Sequence, residues 1–342
     1  MKTRAAILVE SNKPLVVDEI EMPALAAGQV LVKIGVSGIC GAQLNEIGAI
    51  KGTDKFLPHL LGHEAGGIVE DIGPGVTHVQ PGDHVCLHWR KGNGIHAQPA
   101  KYKWNGKTVN SGWVTTFSRQ TIVSENRVTP IPKDAPFEIA ALMGCAVTTA
   151  LGLINNDAKL KIGQSIAVFG CGGVGLNVVQ AAAMVSADPI IGIDIYDRKL
   201  EFARKFGATH VLNGRTADLR AEIKNIVGAL DVAVENTGNV KLIELAYELT
   251  GPQGRTILVG VPRHDEDITI HSLPLHFGKV LTGCEGGQSN PPVDIPRYLR
   301  LYKAGKLKLD DLITHRFPLE KINTALDVVR GGEAGRVMLT MQ

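Results

Sequence analysis

The feature that most restricts what this chain can fold into is a glycine turn, Gly170-Cys171-Gly172-Gly173-Val174-Gly175. It lies between a short apolar run, IAVFG (166–170), and a stretch suited to a helix (173–186). Each glycine has a physical task in a strand–turn–helix unit. Gly170 permits the tight turn, Gly172 lets backbone approach a pyrophosphate, and Gly175 lets helix and strand pack closely. The helix N-terminus then faces the phosphate charge. The context supports this reading, because a second apolar run, PIIGID (189–194), ends at Asp194, 19 residues after Gly175. A carboxylate there accepts hydrogen bonds from the adenosine ribose hydroxyls and repels a 2′-phosphate, which predicts NAD rather than NADP. Lys199, one turn into the next helical stretch (197–206), is positioned to add a contact. The plainer alternative is a glycine-rich turn in a sheet that binds nothing.

The alternation continues through HVLN (210–213), LDVAVENTG (230–238) and RTILVGVP (255–262). Strands alternating with helices imply a parallel sheet. The first third reads differently. Residues 4–9, 16–20, 29–36, 66–72 and 83–88 are short β-rich runs broken by AAGQ (26–29), GPG (73–75) and PGD (81–83). After 290, helices near 295–304 and 319–330 precede RVMLTM (336–341), a β run expected to return to the first domain. The expectation is an α/β chain with an N-terminal β-rich domain, an inserted doubly wound parallel sheet and a C-terminal return. Its 342 residues suit two domains of ordinary size.

Composition excludes several classes. Lys plus Arg is 36 and Asp plus Glu 34, a net +2, which argues against a dedicated nucleic-acid or membrane-surface protein. Five cysteines, at 40, 86, 145, 171 and 284, are too few and too scattered for a disulfide framework, so a reducing, cytoplasmic setting is expected. The N-terminal MKTRAAILVESNKPLVV has an apolar stretch of only five residues and reads as neither signal peptide nor anchor. The longest apolar region, 166–195, carries glycines, a proline and two Asp, and reads as strand–helix–strand rather than a membrane span. The expected partner is a small molecule, with no nucleic acid and no membrane.

Three further segments stand out: Gly38-Ile39-Cys40-Gly41, Gly62-His63-Glu64-Ala65-Gly66-Gly67 and Gly144-Cys145. Singly, a Cys is more often a small buried hydrophobe and a His a satisfied polar group. Together with PGDHV (81–85), TTFS (115–118), LMGC (142–145), ENTGN (235–239) and LVGVP (258–262), they resemble the zinc-dependent alcohol dehydrogenases of the medium-chain dehydrogenase/reductase superfamily.

The resemblance implies a GroES-like catalytic domain, 1–147 and 285–342, and a Rossmann NAD-binding domain, 148–284. It implies a catalytic Zn²⁺ held by Cys40, His63 and Cys145 with a fourth position open for substrate. Glu64 would stand behind the ion or ligate it transiently. By the same analogy Thr149 lies near the nicotinamide, Val174, Val259 and Val261 face the cofactor, and Arg336 lies near the pyrophosphate. Val174 and Val259 read equally well as core. The resemblance also implies a homodimer or homotetramer.

Two departures matter. Many relatives hold a structural zinc with four closely spaced cysteines after PGDHV, whereas residues 86–113 contain only Cys86. One zinc per chain is therefore expected. The residue two after the first zinc Cys is usually Ser or Thr and starts a proton relay that often ends at a His three residues on. Here these positions are Ala42 and Asn45, and Ala42 cannot relay a proton. In addition, residues 84–124 carry Arg90, Lys91, Lys101, Lys103, Lys107 and Arg119 with no Asp or Glu. That lobe is either a solvated basic loop or a means of capturing an anionic or sugar-like substrate. The leading expectation is hydride transfer between nicotinamide and a polar alcohol or carbonyl. The alternatives are S-hydroxymethyl-glutathione oxidation, a metal-free NADPH quinone or enone reductase, and a non-catalytic nucleotide-binding protein.

Overall fold

Six parallel strands carry the glycine turn in a computed structural model that describes residues 1–215 and 217–341. They lie in the order His210–Asn213, Ile190–Asp194, Ile166–Phe169, Leu230–Glu235, Thr250–Leu258, Val280–Gly283. Counted along the chain that order is 3-2-1-4-5-6, and every pairing is parallel. The two central neighbours, Ile166–Phe169 and Leu230–Glu235, mark the point where chain order reverses. Ligands of such sheets bind there, beyond the carboxyl ends of the strands. The central strand is apolar throughout, and Ile166, Ala167, Val168 and Phe169 are all fully buried, as in a parallel sheet covered on both faces.

The chain divides into two units, Met1–Cys145 with Asn290–Gln342, and Ala146–Ser289. The expected division was 147/148 and 284/285. In the first unit the long strand Gln29–Ile39 is the organiser. It pairs antiparallel with Ala65–Ile72, Gln120–Ser124 and the last strand, Arg336–Thr340. The C-terminal segment thus joins the N-terminal sheet. Val30, Val32, Ile34, Val69, Val85 and Leu87 pack in one core with Ile322, Leu326, Val337 and Leu339. A second sheet contains Lys2–Leu8, Val16–Glu21 and the hairpin Tyr102–Trp104/Lys107–Val109. Among the described residues no single helix is long and apolar enough to cross a membrane.

Candidate functional site

The candidate nucleotide site is built almost wholly from backbone. Gly170 turns the chain at φ 90°, and the helix Gly173–Met184 opens directly after Gly172. A Cβ at Gly175 would collide with the Gly170 carbonyl oxygen, so close packing of turn and helix requires this glycine. A Cβ at Gly172 would meet nothing within 4 Å, so the backbone there is open to an approaching anion. Asp194 pins the turn to the end of the second strand. Its Oδ2 accepts the Cys171 N–H at 2.8 Å, and its Oδ1 accepts the N–H groups of Ile195 (2.8 Å) and Tyr196 (3.1 Å). Lys199 projects over the Tyr196 ring, 5.3 Å from its centroid, and Arg215 does the same at 5.2 Å.

The neighbouring loop after Leu230–Glu235 is held by a buried carboxylate. Glu235 accepts the N–H of Gly238 at 3.0 Å and both the N–H and hydroxyl of Thr237, while burial pushes its pKa up. Gly260 abuts Gly238 and Asn236, which brings the 259–261 segment beside that loop. Val174 and Val259 are partly exposed and Val261 is 47% exposed, so none of the three serves as core. Thr149 is buried in the helix Ala146–Gly152.

The metal-type site is built from side chains. Cys40 follows the strand Gln29–Ile39 and caps the start of the helix Gly41–Ile47, His63 and Glu64 precede Ala65–Ile72, and Cys145 follows the helix Phe137–Met143. Their fold brings the Cys40, His63 and Cys145 ligand atoms within 4.8 Å of one another. Among the described residues this is the group of His, Cys, Asp or Glu side chains able to hold an ion. The His63 Nδ1 contacts Gln43 Nε2 at 2.6 Å, whereas His63 Nε2 is buried with no hydrogen-bond partner. Two sulfurs and one imidazole with an orphaned ring nitrogen fit a divalent ion of zinc character.

The electrostatics agree. A hydrogen bond from Cys145 holds the Cys40 thiol well below its ordinary range, against burial and with help from His63. The same bond, with burial, pushes Cys145 well above its range. A dication held here would take both sulfurs as thiolates, releasing their protons on binding.

Glu64 stands outside that ligand group. Its Oε1 accepts from Arg336 Nη2, and the two side chains are 0% and 5% exposed. Burial pushes the Glu64 carboxyl upward while Arg336 opposes it. A Cβ at Gly38 would meet Glu64 Oε1 at 2.5 Å, so that glycine makes room for the carboxylate. Arg336, tied by resemblance to the pyrophosphate, has Glu64 as its partner in this structure. Gln43 is the residue that sequence reasoning missed. It is 1% exposed and touches both Cys40 and His63.

Other polar side chains of this unit are engaged in structural contacts. His59 bonds Asp54 Oδ2 at 2.7 Å and the Leu60 carbonyl at 2.9 Å. Cys86 donates to the Ala140 carbonyl at 3.1 Å, and burial pushes its thiol up. His88 lies between the Arg90 carbonyl (2.8 Å) and Thr129 Oγ1 (2.9 Å), its pKa lowered by burial to about 4. In the basic lobe Arg119 pairs with Glu320 at 3.2 Å and Trp104 donates to Asp18 at 2.8 Å, while Lys101, Lys103 and Lys107 are exposed.

One unit carries a glycine turn of nucleotide-binding form, and the other carries a Cys/His/Cys cluster able to hold an ion. Comparison with known proteins makes this specific. Residues 26–133 match the alcohol dehydrogenase GroES-like domain, and residues 173–304 match the zinc-binding dehydrogenase family. The chain is 34% identical to S-(hydroxymethyl)glutathione dehydrogenase of Paracoccus denitrificans, covering 98% of this chain and 99% of the relative. It is also 34% identical to alcohol dehydrogenase 1 of Trifolium repens, covering 100% and 98%. Among solved structures, benzyl alcohol dehydrogenase from Acinetobacter calcoaceticus superposes with TM-score 0.90 at 28% identity, covering 100% of both chains. An alcohol dehydrogenase zinc-binding domain protein from Burkholderia ambifaria gives 0.91 at 27%, covering 100% and 99%. The chain belongs to the zinc-dependent alcohol dehydrogenases of the medium-chain dehydrogenase/reductase superfamily.

Proposed function

We propose that the protein interconverts a polar alcohol and its carbonyl with NAD(H), using one zinc ion per chain held by Cys40, His63 and Cys145. The observation that carries this reading is the convergence of those three ligand atoms around the orphaned His63 Nε2. The bound groups supply Lewis-acid polarisation of the substrate oxygen and acceptance of the hydride. Everything else is the work of this chain's side chains and backbone. Gly172 and the start of its helix would receive the pyrophosphate, and Asp194 would favour the unphosphorylated ribose. Glu64 and Arg336 form a buried opposite-charge pair beside the two sulfurs, and Arg336 favours their ionised forms.

The alcohol proton needs an exit. Ala42 is exposed and has no hydroxyl, His59 is committed to Asp54 and Leu60, and Glu64 is engaged by Arg336. The protein thus offers no side-chain relay at those positions, and solvent or a second hydroxyl on the substrate carries the proton. General acid–base help contributes about 10²–10⁴ in rate, so substrates bringing their own hydroxyl gain most. The exposed Lys101, Lys103 and Lys107 favour an anionic or sugar-like alcohol over ethanol-like ones. They also keep S-(hydroxymethyl)glutathione, the substrate in the name of a 34% identical relative, as a second reading.

The test is zinc content per chain together with NADH formation over polyols, sugar alcohols, hydroxy acids, benzyl alcohol and formaldehyde with glutathione. One zinc per chain, turnover with at least one polar alcohol, and loss of both in Cys145→Ala are expected. A protein that retains no zinc and oxidises none of these overturns the reading.

A further inference from the structure

Gln43 bridges two of the three ligand residues, and its two ends have different chemistry. Its Oε1 accepts the Cys40 backbone N–H at 3.1 Å. That bond fixes the carboxamide's orientation, because an N–H cannot bond to an NH₂ group. The NH₂ end therefore faces His63 Nδ1 at 2.6 Å and donates to it. An imidazole that accepts at Nδ1 carries its proton, when neutral, on Nε2. Nε2 is the buried nitrogen without a partner, the atom left for an ion.

A metal ion needs the Nε2 lone pair, so the proton must move to Nδ1. Two donors, Nδ1–H and the Gln43 NH₂, would then oppose each other. Turning the carboxamide over relieves His63 but sets the NH₂ against the Cys40 N–H. Gln43 satisfies both neighbours in the metal-free protein and only one of them in the loaded protein. A carboxylate, which accepts at both oxygens, would satisfy both when the metal is bound.

We propose that Gln43 is a positioning residue that holds His63 in the tautomer opposed to metal ligation, and so weakens and renders exchangeable the ion in the Cys40/His63/Cys145 site. The inference rests on the reading that this site takes zinc. It requires no change in the ligands themselves, because partners of ligating histidines alone shift metal affinity by about 10–100-fold.

The experiment measures zinc dissociation constants of the full-length protein by competition with a chromogenic chelator, without NAD. Gln43→Glu is expected to bind zinc about 10–100-fold more tightly than the unmodified chain. Equal or weaker binding by the variant overturns the inference and leaves the functional reading standing. Zinc held in the site by neither protein overturns both. A second measurement does not depend on the variant folding: ¹⁵N NMR of the histidine-labelled, unmodified chain. The expected signature is an Nε2–H tautomer for His63 without zinc and Nδ1–H with zinc. Nδ1–H in the zinc-free protein overturns the proposal.

Discussion

The two sites of this molecule are built by opposite means. The proposed nucleotide site is a backbone object: a turn at φ 90°, a helix start, and one carboxylate anchored by three main-chain N–H groups. All of it lies between residues 166 and 196. The ion site is a side-chain object, gathered from positions 40, 63, 64, 145 and 336, and its members are charged or ionisable. The contrast predicts different vulnerabilities. A backbone site fails when volume is added, because there is no side chain to move aside. A side-chain site fails when a charge is removed, because the charge left behind is sealed from water.

Arg336→Met is the most severe test of that contrast. It adds no bulk but leaves Glu64 buried without its cation, and loss of about 3–5 kcal/mol is expected at neutral pH. Denaturant unfolding measures it. Adding Glu64→Gln should recover part of the loss, and failure to do so would show that the pair acts through packing alone.

His88 gives the next effect, in the same unit but away from the ligands. Its pKa is lowered from 6.5 to about 4 by burial, so the unfolded chain binds the proton more readily between those values. The stabilisation from a neutral His88 is complete above pH 6.5 and lost as pH falls towards 4, a swing of about 3 kcal/mol. Unfolding midpoints across that range should fall more steeply for the unmodified chain than for His88→Gln. Parallel curves would contradict the assignment.

The smallest change tests the backbone site. Gly175→Ala adds one methyl against the Gly170 carbonyl. It should lower stability by about 1–3 kcal/mol and weaken NADH binding, read by fluorescence titration, while leaving zinc content unchanged. Loss of zinc in this variant would erase the distinction between the two sites.

The same contrast explains what could be read from the chain beforehand. The strands Ile166–Phe169, Ile190–Asp194 and His210–Asn213 follow directly from apolar runs punctuated by glycine and helix. The helices Phe137–Met143 and Ala146–Gly152 escaped notice because FEIAALMGCAVTTALG is apolar almost throughout and has no polar face to reveal a helical period. The hairpin Tyr102–Trp104/Lys107–Val109 did carry a signal, Asn105-Gly106, with both residues at positive φ, hidden among the charges of the lobe. Cys40, His63 and Cys145 came to attention through family resemblance, whereas Gln43 could not. A lone Gln in GICGAQL looks like any helix residue until folding sets it against His63.

The position of Arg336 in the last strand has a consequence for biosynthesis. During translation, Cys40, His63, Glu64 and Cys145 are all made while more than half of the 342 residues are still to come. Until residue 336 is translated, Glu64 has no cation and the sheet lacks the strand beside Gln29–Ile39. The ion site therefore matures only once Arg336 has been made, well after its ligands, and a nascent chain stalled before that point presents zinc with its ligands but not with the finished site.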